Sequence, residues 1–310
     1  MDKSAVLLLA HGTPDSVSEI PEYLRNVTGG RAIPDSVIEE VKHRYGLIGQ
    51  SPLTRITLRQ GELLAHSLDT PVYVGMRNWK PYITDVIAKM RADGIKSATA
   101  LCLAPQNSRT SVGLYRKALQ GVAGDIAIDF IESWHDHPLL ITAFSEKLDA
   151  ARAKFGRAVP VIFTAHSVPA RTISDGDPYE LQARETGALV AQRIALPQKQ
   201  WAFAFQSQGM SGGPWIGPTV EETIAKLKTA GHSRALIQPV GFVCDHVEVL
   251  YDIDIAFREF GSRIGVDVVR TESLNDSPAF IAALADLVRT RGTAKTKVTR
   301  KEAEVTKNAF

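Results

Sequence analysis

Three histidines and a short run of acids are the residues of this 310-residue chain whose type and surroundings suit chemistry. His166 follows the apolar run Val159–Thr164 (VPVIFT) with only Ala165 between, at the carboxyl end of an expected strand. A neutral imidazole there can accept a proton or ligate a transition metal near neutral pH. It can equally be a structural histidine that holds the next loop through a hydrogen bond. His11 has the like place after Val6–Ala10, where Gly12, Thr13 and Pro14 make a tight turn that exposes it. The segment Gly241–Asp254 (GFVCDHVEVLYDID) holds His246 and the acids. Asp245 is placed to cap the next helix by accepting an orphan N–H. Glu248 and Asp252 are spaced i and i+4 and so share one helical face. Such a pair can pass a divalent cation or a proton along the helix, although a solvated acidic first turn favoured by the helix dipole has the same pattern.

Arg25, Arg31, Arg44, Arg55 and Arg77 place five guanidinium groups in and around expected loops of the first half. Near a cleft they would suit carboxylates through bidentate bonds; elsewhere they are solvated surface arginines. Trp79, Trp215 and Tyr45 can supply flat apolar walls or simply core. The histidines form no H-x-x-x-H or H-E-x-x-H pattern, and no phosphate loop of the G-x-x-x-x-G-K-[ST] type is present. Gly209–Gly213 is glycine-rich but lacks the lysine and the spacing.

These residues need elements to hold them. Strand-like runs fall at Ala5–Ala10, Pro71–Gly75, Ala98–Ala104, Ala127–Ile131, Val159–Thr164, Trp201–Phe205, Arg234–Pro239 and Val266–Val269. Amphipathic segments between them include Thr84–Ala92, Ser111–Ala118, Leu139–Phe155, Glu180–Ile194, Val220–Ala230, Glu248–Phe260 and Pro278–Val288. Alternation of this kind specifies parallel βαβ units, with ligand chemistry at the carboxyl ends of the strands. A faint repeat runs through the chain. VLLLAHGTP at Val6–Pro14 resembles VIFTAHSVP at Val161–Pro169, Val74–Pro81 has a loose counterpart in Gln206–Pro218, and Leu101–Pro105 parallels Leu236–Pro239. Three matches in one order imply two similar Rossmann-like α/β domains, 1–140 and 141–290, with a cleft between them and a basic, frayed tail at 291–310.

Composition bounds the partners. Lys and Arg number 36 against 34 Asp and Glu, so no basic excess points to nucleic acid. Two cysteines, Cys102 and Cys244, cannot supply the four thiolates of an iron–sulfur cluster, and none is expected. They read as buried apolar groups in a reducing compartment. The first apolar run is shorter than the roughly 7–15 residues of a secretory signal core. No stretch approaches the roughly 18 apolar residues of a membrane span. A cytoplasmic protein without an integral membrane segment is expected.

Taken together, the segments closely resemble ferrochelatase, the family that inserts ferrous iron into a porphyrin. The resemblance covers about residues 5–290, with motifs in the family's order: AHGTP at Ala10–Pro14, Tyr23–Gly30, RYGLIGQSPL at Arg44–Leu53, VGMR at Val74–Arg77, Ala104–Pro105, TAHSVP at Thr164–Pro169, FQS at Phe205–Ser207, PWIGP at Pro214–Pro218, and Pro239–Asp254. It implies a chelatase-like fold in which His166 and Glu248 face each other across the cleft and handle the metal and the pyrrole protons, with Asp252 as a further metal ligand. It implies His11, Arg31, Arg44, Arg55 and Trp215 as substrate-binding residues, Fe2+ as a substrate with no tightly bound cofactor, porphyrin and haem as the small-molecule partners, and a monomer. His11 stands where relatives often have Tyr or Met, so it is a candidate axial ligand to product haem. Ala256 replaces an acid of some relatives, and the loop around Asn107 lacks the usual aromatic residues. The segment Val27–Asp35 is too polar for deep membrane insertion, and an arginine-lined cleft suits the four propionates of coproporphyrin III better than protoporphyrin IX. The rivals are a non-catalytic porphyrin or haem carrier, which would not need Glu248, and a cobalt or nickel chelatase of the same fold, expected to be shorter and to rely on paired histidines.

Overall fold

The computed structural model describes residues 3–208 and 213–291. Among them, eight strands form two sheets. The first sheet has the order β2-β1-β3-β4, from β1 (Lys3–Ala10), β2 (Val72–Met76), β3 (Ile95–Cys102) and β4 (Ala127–Ile131). The second has the order β6-β5-β7-β8, from β5 (Val161–His166), β6 (Trp201–Gln206), β7 (Arg234–Pro239) and β8 (Asp267–Arg270). Every pairing is parallel. Helices cover the sheet faces, which is why the central strands read as unbroken apolar runs. Leu7, Leu8 and Leu9 of β1 and Val161, Ile162 and Phe163 of β5 are fully buried.

The repeat seen in the sequence is a repeat of topology. β1 and β5 are the central strands, and each ends at or just before a histidine, His11 or His166. At the end of β2, Met76 N donates to Pro81 O at 2.7 Å; near the end of β6, Phe205 N donates to Pro218 O at 2.8 Å. Both prolines follow cis peptide bonds.

The two sheets are not packed as separate bodies. One apolar cluster joins Val6 and Leu8 of the first sheet to Phe163 and Leu236 of the second, and takes in Phe280 and Leu284. Those last two lie on a helix over residues 278–291 that straps back across the first half. Phe280 stacks on Trp134 with centroids 6.1 Å apart. Asp286 accepts from His137 Nε2 at 3.1 Å, and Arg289 donates to Ser67 O at 2.6 Å. The boundary expected between residues 140 and 141 falls inside the helix Pro138–Phe155. The expected tail lies outside the described residues apart from Arg291, as do residues 209–212 of the glycine-rich segment.

The helix expected over Glu248–Phe260 is in three parts: Val247–Leu250, a π turn at Asp252–Phe257, and Arg258–Arg263. Tyr251 O accepts from both Ile255 N and Ala256 N, at 3.1 and 2.9 Å, so one extra residue is held in the turn. Single π turns inside helices occur frequently at functional sites. Among the described residues, no helix is long and apolar enough to cross a membrane.

Candidate active site

A cleft of about 400 Å³ opens where β1, β3, β5 and β7 end, with lining from both halves of the chain. His11 and Leu103 follow β1 and β3, while His166 and Gly241 lie at the ends of β5 and β7. Tyr23, Tyr45, Tyr115, Tyr179 and Trp215 add broad, largely apolar walls. The site is therefore where an open parallel sheet is expected to bind, duplicated and facing itself.

His166 and Glu248 meet in this cleft, with imidazole Nε2 3.2 Å from Glu248 Oε1. The other ring nitrogen, Nδ1, donates to Ser167 O at 2.5 Å, which fixes the ring plane. Tyr179 Oη donates to His166 O at 2.9 Å and holds the backbone beneath it. Glu248 is fixed from below as well. Gln206 Nε2 donates to Glu248 O at 2.8 Å, and Gln206 Oε1 accepts from Thr164 Oγ1 at 2.8 Å, so the ends of β5 and β6 carry both members of the pair. The helix cap is not Asp245, as expected, but His246, whose Nδ1 accepts from Glu248 N at 3.1 Å. Burial pulls His246 below its ordinary range, and the neutral ring is the form that can accept there.

The pair differs electrostatically from a free neutral imidazole. Burial alone would push His166 down, but the charge and hydrogen bond of Glu248 outweigh it and raise its pKa. Burial would push Glu248 up, and the His166 charge and hydrogen bond outweigh it and lower its pKa. The pair thus rests as imidazolium and carboxylate at neutral pH. Asp252, almost buried, accepts from Ser207 Oγ and lies 3.7 Å from Arg44 Nη1. Burial, more than the opposing hydrogen bond, raises it to about 6. Across the cleft, burial and then the charge of Arg77 lower His11 to about 4, so this imidazole is neutral. The Asn78 amide lies 3.0 and 3.2 Å from its two ring nitrogens.

The expected residues fall into two groups. His11, His166, Glu248 and Trp215 line the cleft. Arg31, Arg44, Arg55 and Asp252 do not. Arg31 sits in an exposed loop with Nε donating to Thr28 O at 3.0 Å. Arg44 lies over the Tyr251 ring at 4.9 Å and pairs with Glu40 at 2.9 Å. Arg55 lines a neighbouring cavity of about 690 Å³ that shares the start of the helix Leu53–Leu68 with the cleft. The arginine that does line the cleft is Arg77, with its guanidinium 5.3 Å from the Tyr115 ring centroid. Among the described residues, no three His, Cys, Asp or Glu side chains make a ready ion cage.

A sequence model of the family described as Ferrochelatase matches residues 3–292. The chain belongs to the ferrochelatase family. A curated ferrochelatase from Acidobacterium capsulatum is 56% identical over 93% of this chain and 94% of its own length. One from Deinococcus radiodurans is 38% identical over 91% and 94%. A coproporphyrin III ferrochelatase from Geobacillus sp. strain WCH70 is 36% identical over 93% and 98%. Among solved structures, SirB from Bacillus subtilis with Fe3+ superposes with a TM-score of 0.57 at 11% identity, over 93% of this chain and 94% of that one. A structure of the sirohydrochlorin chelatase SirB in complex with cobalt, from Bacillus subtilis subspecies spizizenii, gives 0.53 at 10% identity, over the same shares of the two chains. At those identities the likeness establishes the chelatase fold alone. The coverage also removes length as a way to separate a ferrochelatase from these relatives.

Spacing could not single out Arg77 from the other first-half arginines. Tyr179 had no signal at all, because its role is a bond to the backbone of His166.

Proposed function

We propose that this ferrochelatase inserts Fe2+ into coproporphyrin III in preference to protoporphyrin IX, with Glu248 and His166 handling the pyrrole protons and the entering metal. The observation that carries the reading is the His166–Glu248 pair, 3.2 Å apart in a cleft walled by aromatic rings. Insertion forms four Fe–N bonds and expels the two pyrrole N–H protons, so the site needs an acceptor that is anionic before the ring arrives. Glu248 is that group, because its pKa is held low. An Fe2+ ion next to Glu248 takes over the role of His166 as its counter-charge. The imidazolium, which is partly open to solvent, can then release its Nε2 proton to water and offer that nitrogen to a borderline metal. Asp252, with its carboxyl raised to about 6, is suited to take protons on from Glu248 and release them to water. His11, held neutral on the cleft wall, is in the protonation state that could ligate the iron of the product.

The preference for coproporphyrin III is supported at the rim. Carboxylates extend outward from the edge of the ring. Arg55 stands in the cavity beside the cleft, and the segment 28–32 is polar and largely exposed rather than an apolar lip. Metalation followed by absorbance under anaerobic Fe2+ tests both parts. Coproporphyrin III should turn over with the larger kcat/KM, and His166→Ala should lose most activity. Inactivity of the wild type on both porphyrins, or full activity of His166→Ala, would overturn the reading. A protoporphyrin preference would overturn only the substrate assignment.

A further inference from the structure

Asp245 and Asp254 flank the segment that carries His246, Glu248 and Asp252, and both are gripped by one side chain. Arg270, the last residue of β8, donates Nε and Nη2 to the two carboxylate oxygens of Asp254 at 2.9 and 2.8 Å. Its Nη1 donates to Asp245 Oδ1, Thr271 O and Ser273 Oγ, each at 3.1 Å. Asp245 is then closed in from its other sides. Ser273 Oγ donates to Asp245 Oδ1 at 2.7 Å, Asn275 Nδ2 donates to Oδ2 at 2.9 Å, and Asp245 N donates to Asn275 Oδ1 at 2.9 Å. The Arg270 side chain is 13% exposed, so the grip is largely screened from water.

We infer that Arg270 is a positioning residue for the metalation reaction: by tying Asp245 to Asp254 it fixes where Glu248 stands against His166. The clamp is needed because the backbone between the two aspartates is weakly self-supporting. It contains one short helical turn and a π turn instead of a continuous helix. A planar guanidinium can meet one carboxylate bidentately and still reach a second, whereas an ammonium is a point donor that cannot hold both geometries. The clamp also reaches the first half of the chain. Fully buried Gln60, on the helix Leu53–Leu68, donates Nε2 to Asn275 O at 2.7 Å. Asn275 holds Asp245, so the helix that contributes Leu53 and Thr57 to the cleft is tied to the same network.

The inference rests on Glu248 acting as proposed above, so Glu248→Gln is assayed alongside. Arg270→Lys should lower kcat for Fe2+ insertion about 10–100-fold, the scale of loss that an ångström of misplacement causes, while KM for porphyrin stays within about twofold. Asp254→Asn, which cuts one arm at a side chain 30% exposed, should fold and show the same split with a smaller loss. In Arg270→Gly, millimolar guanidinium should restore part of kcat where equal sodium chloride does not. Wild-type kcat in folded Arg270→Lys or Asp254→Asn would overturn the clamp, as would a loss in KM alone or one that tracks only the folded fraction. If Glu248→Gln keeps full activity, the role of Glu248 falls instead.

Discussion

At the scale of the residue, the site is a half-buried ion pair whose members set each other's charge, and this fixes how it answers to pH. His166 is raised above its ordinary value, to about 9, so its share of the stabilisation is complete below about pH 6.5 and is lost as pH rises through about 9. Glu248 is lowered, so its share is present above its ordinary value of 4.5 and is lost in more acid solution. The window of a complete pair therefore spans neutral pH. Removing the carboxylate should reverse the balance at His166. In Glu248→Gln, burial dominates and the imidazole should titrate below about 6.5, which imidazole NMR signals followed against pH would show. The same variant should lose about 100-fold or more in kcat, the scale of a lost general base. An unchanged His166 titration would mean that Glu248 is not its partner in solution. His166 and Glu248 were legible in the sequence because each sits at an element end: the first at the carboxyl end of a strand, the second in the first turn of a helix. Asp245 was misread for a related reason. Its place fits a helix cap, but Arg270, Ser273 and Asn275, which arrive from β8 and the chain after it, take its carboxylate, and His246 caps instead.

At the scale of the element, strands were easy to see and helices less so. Parallel strands covered on both faces are apolar at nearly every position, and all eight observed strands overlap an expected run. The helix Asp35–Ile48 leaves almost no trace by comparison, since it buries only Tyr45 and the rest of its surface is partly or fully exposed. The π turn is invisible to spacing, because the Glu248–Asp252 interval is the same whether the next turn is α or π. The crossing of β5 with the segment after β7 yields a prediction of its own. A Cβ on Gly241 would stand 2.7 Å from Ala165 Cβ and 2.8 Å from Ala165 Cα, the residue next to His166. Gly241→Ala should thus destabilise the protein by about 1–3 kcal/mol, measured by chemical denaturation, and lower metalation activity by shifting His166. Gly46→Ala is the control. That glycine lies within the helix Asp35–Ile48 with open space around it, so alanine there should stabilise by about 0.5–1 kcal/mol. Equal effects at the two sites would contradict the close approach.

At the scale of the whole molecule, two halves of one topology are locked by an element that follows both in sequence. The helix over 278–291 places Phe280 on Trp134 and joins Asp286 and Arg289 to His137 and Ser67. Phe280 is fully buried, so Phe280→Ala should cost about 3–5 kcal/mol. Calorimetry should then show one transition at lower temperature, since a single apolar cluster runs through both halves. Two separated transitions would mean that the halves unfold independently. The duplicated order of strands was readable from the Ala-His repeat, but the crossing of this helix was not, because an amphipathic helix does not declare which sheet it covers. On the ribosome the strap also sets a schedule. The first half leaves the exit tunnel with the seat for Phe280 vacant, and its apolar face waits in water until the final described helix is made. Chaperones that bind nascent apolar surface thus have the span of synthesis from about residue 134 to residue 280 in which to act. A stop codon between the end of β8 and Phe280 would release a chain with both sheets and none of its seal.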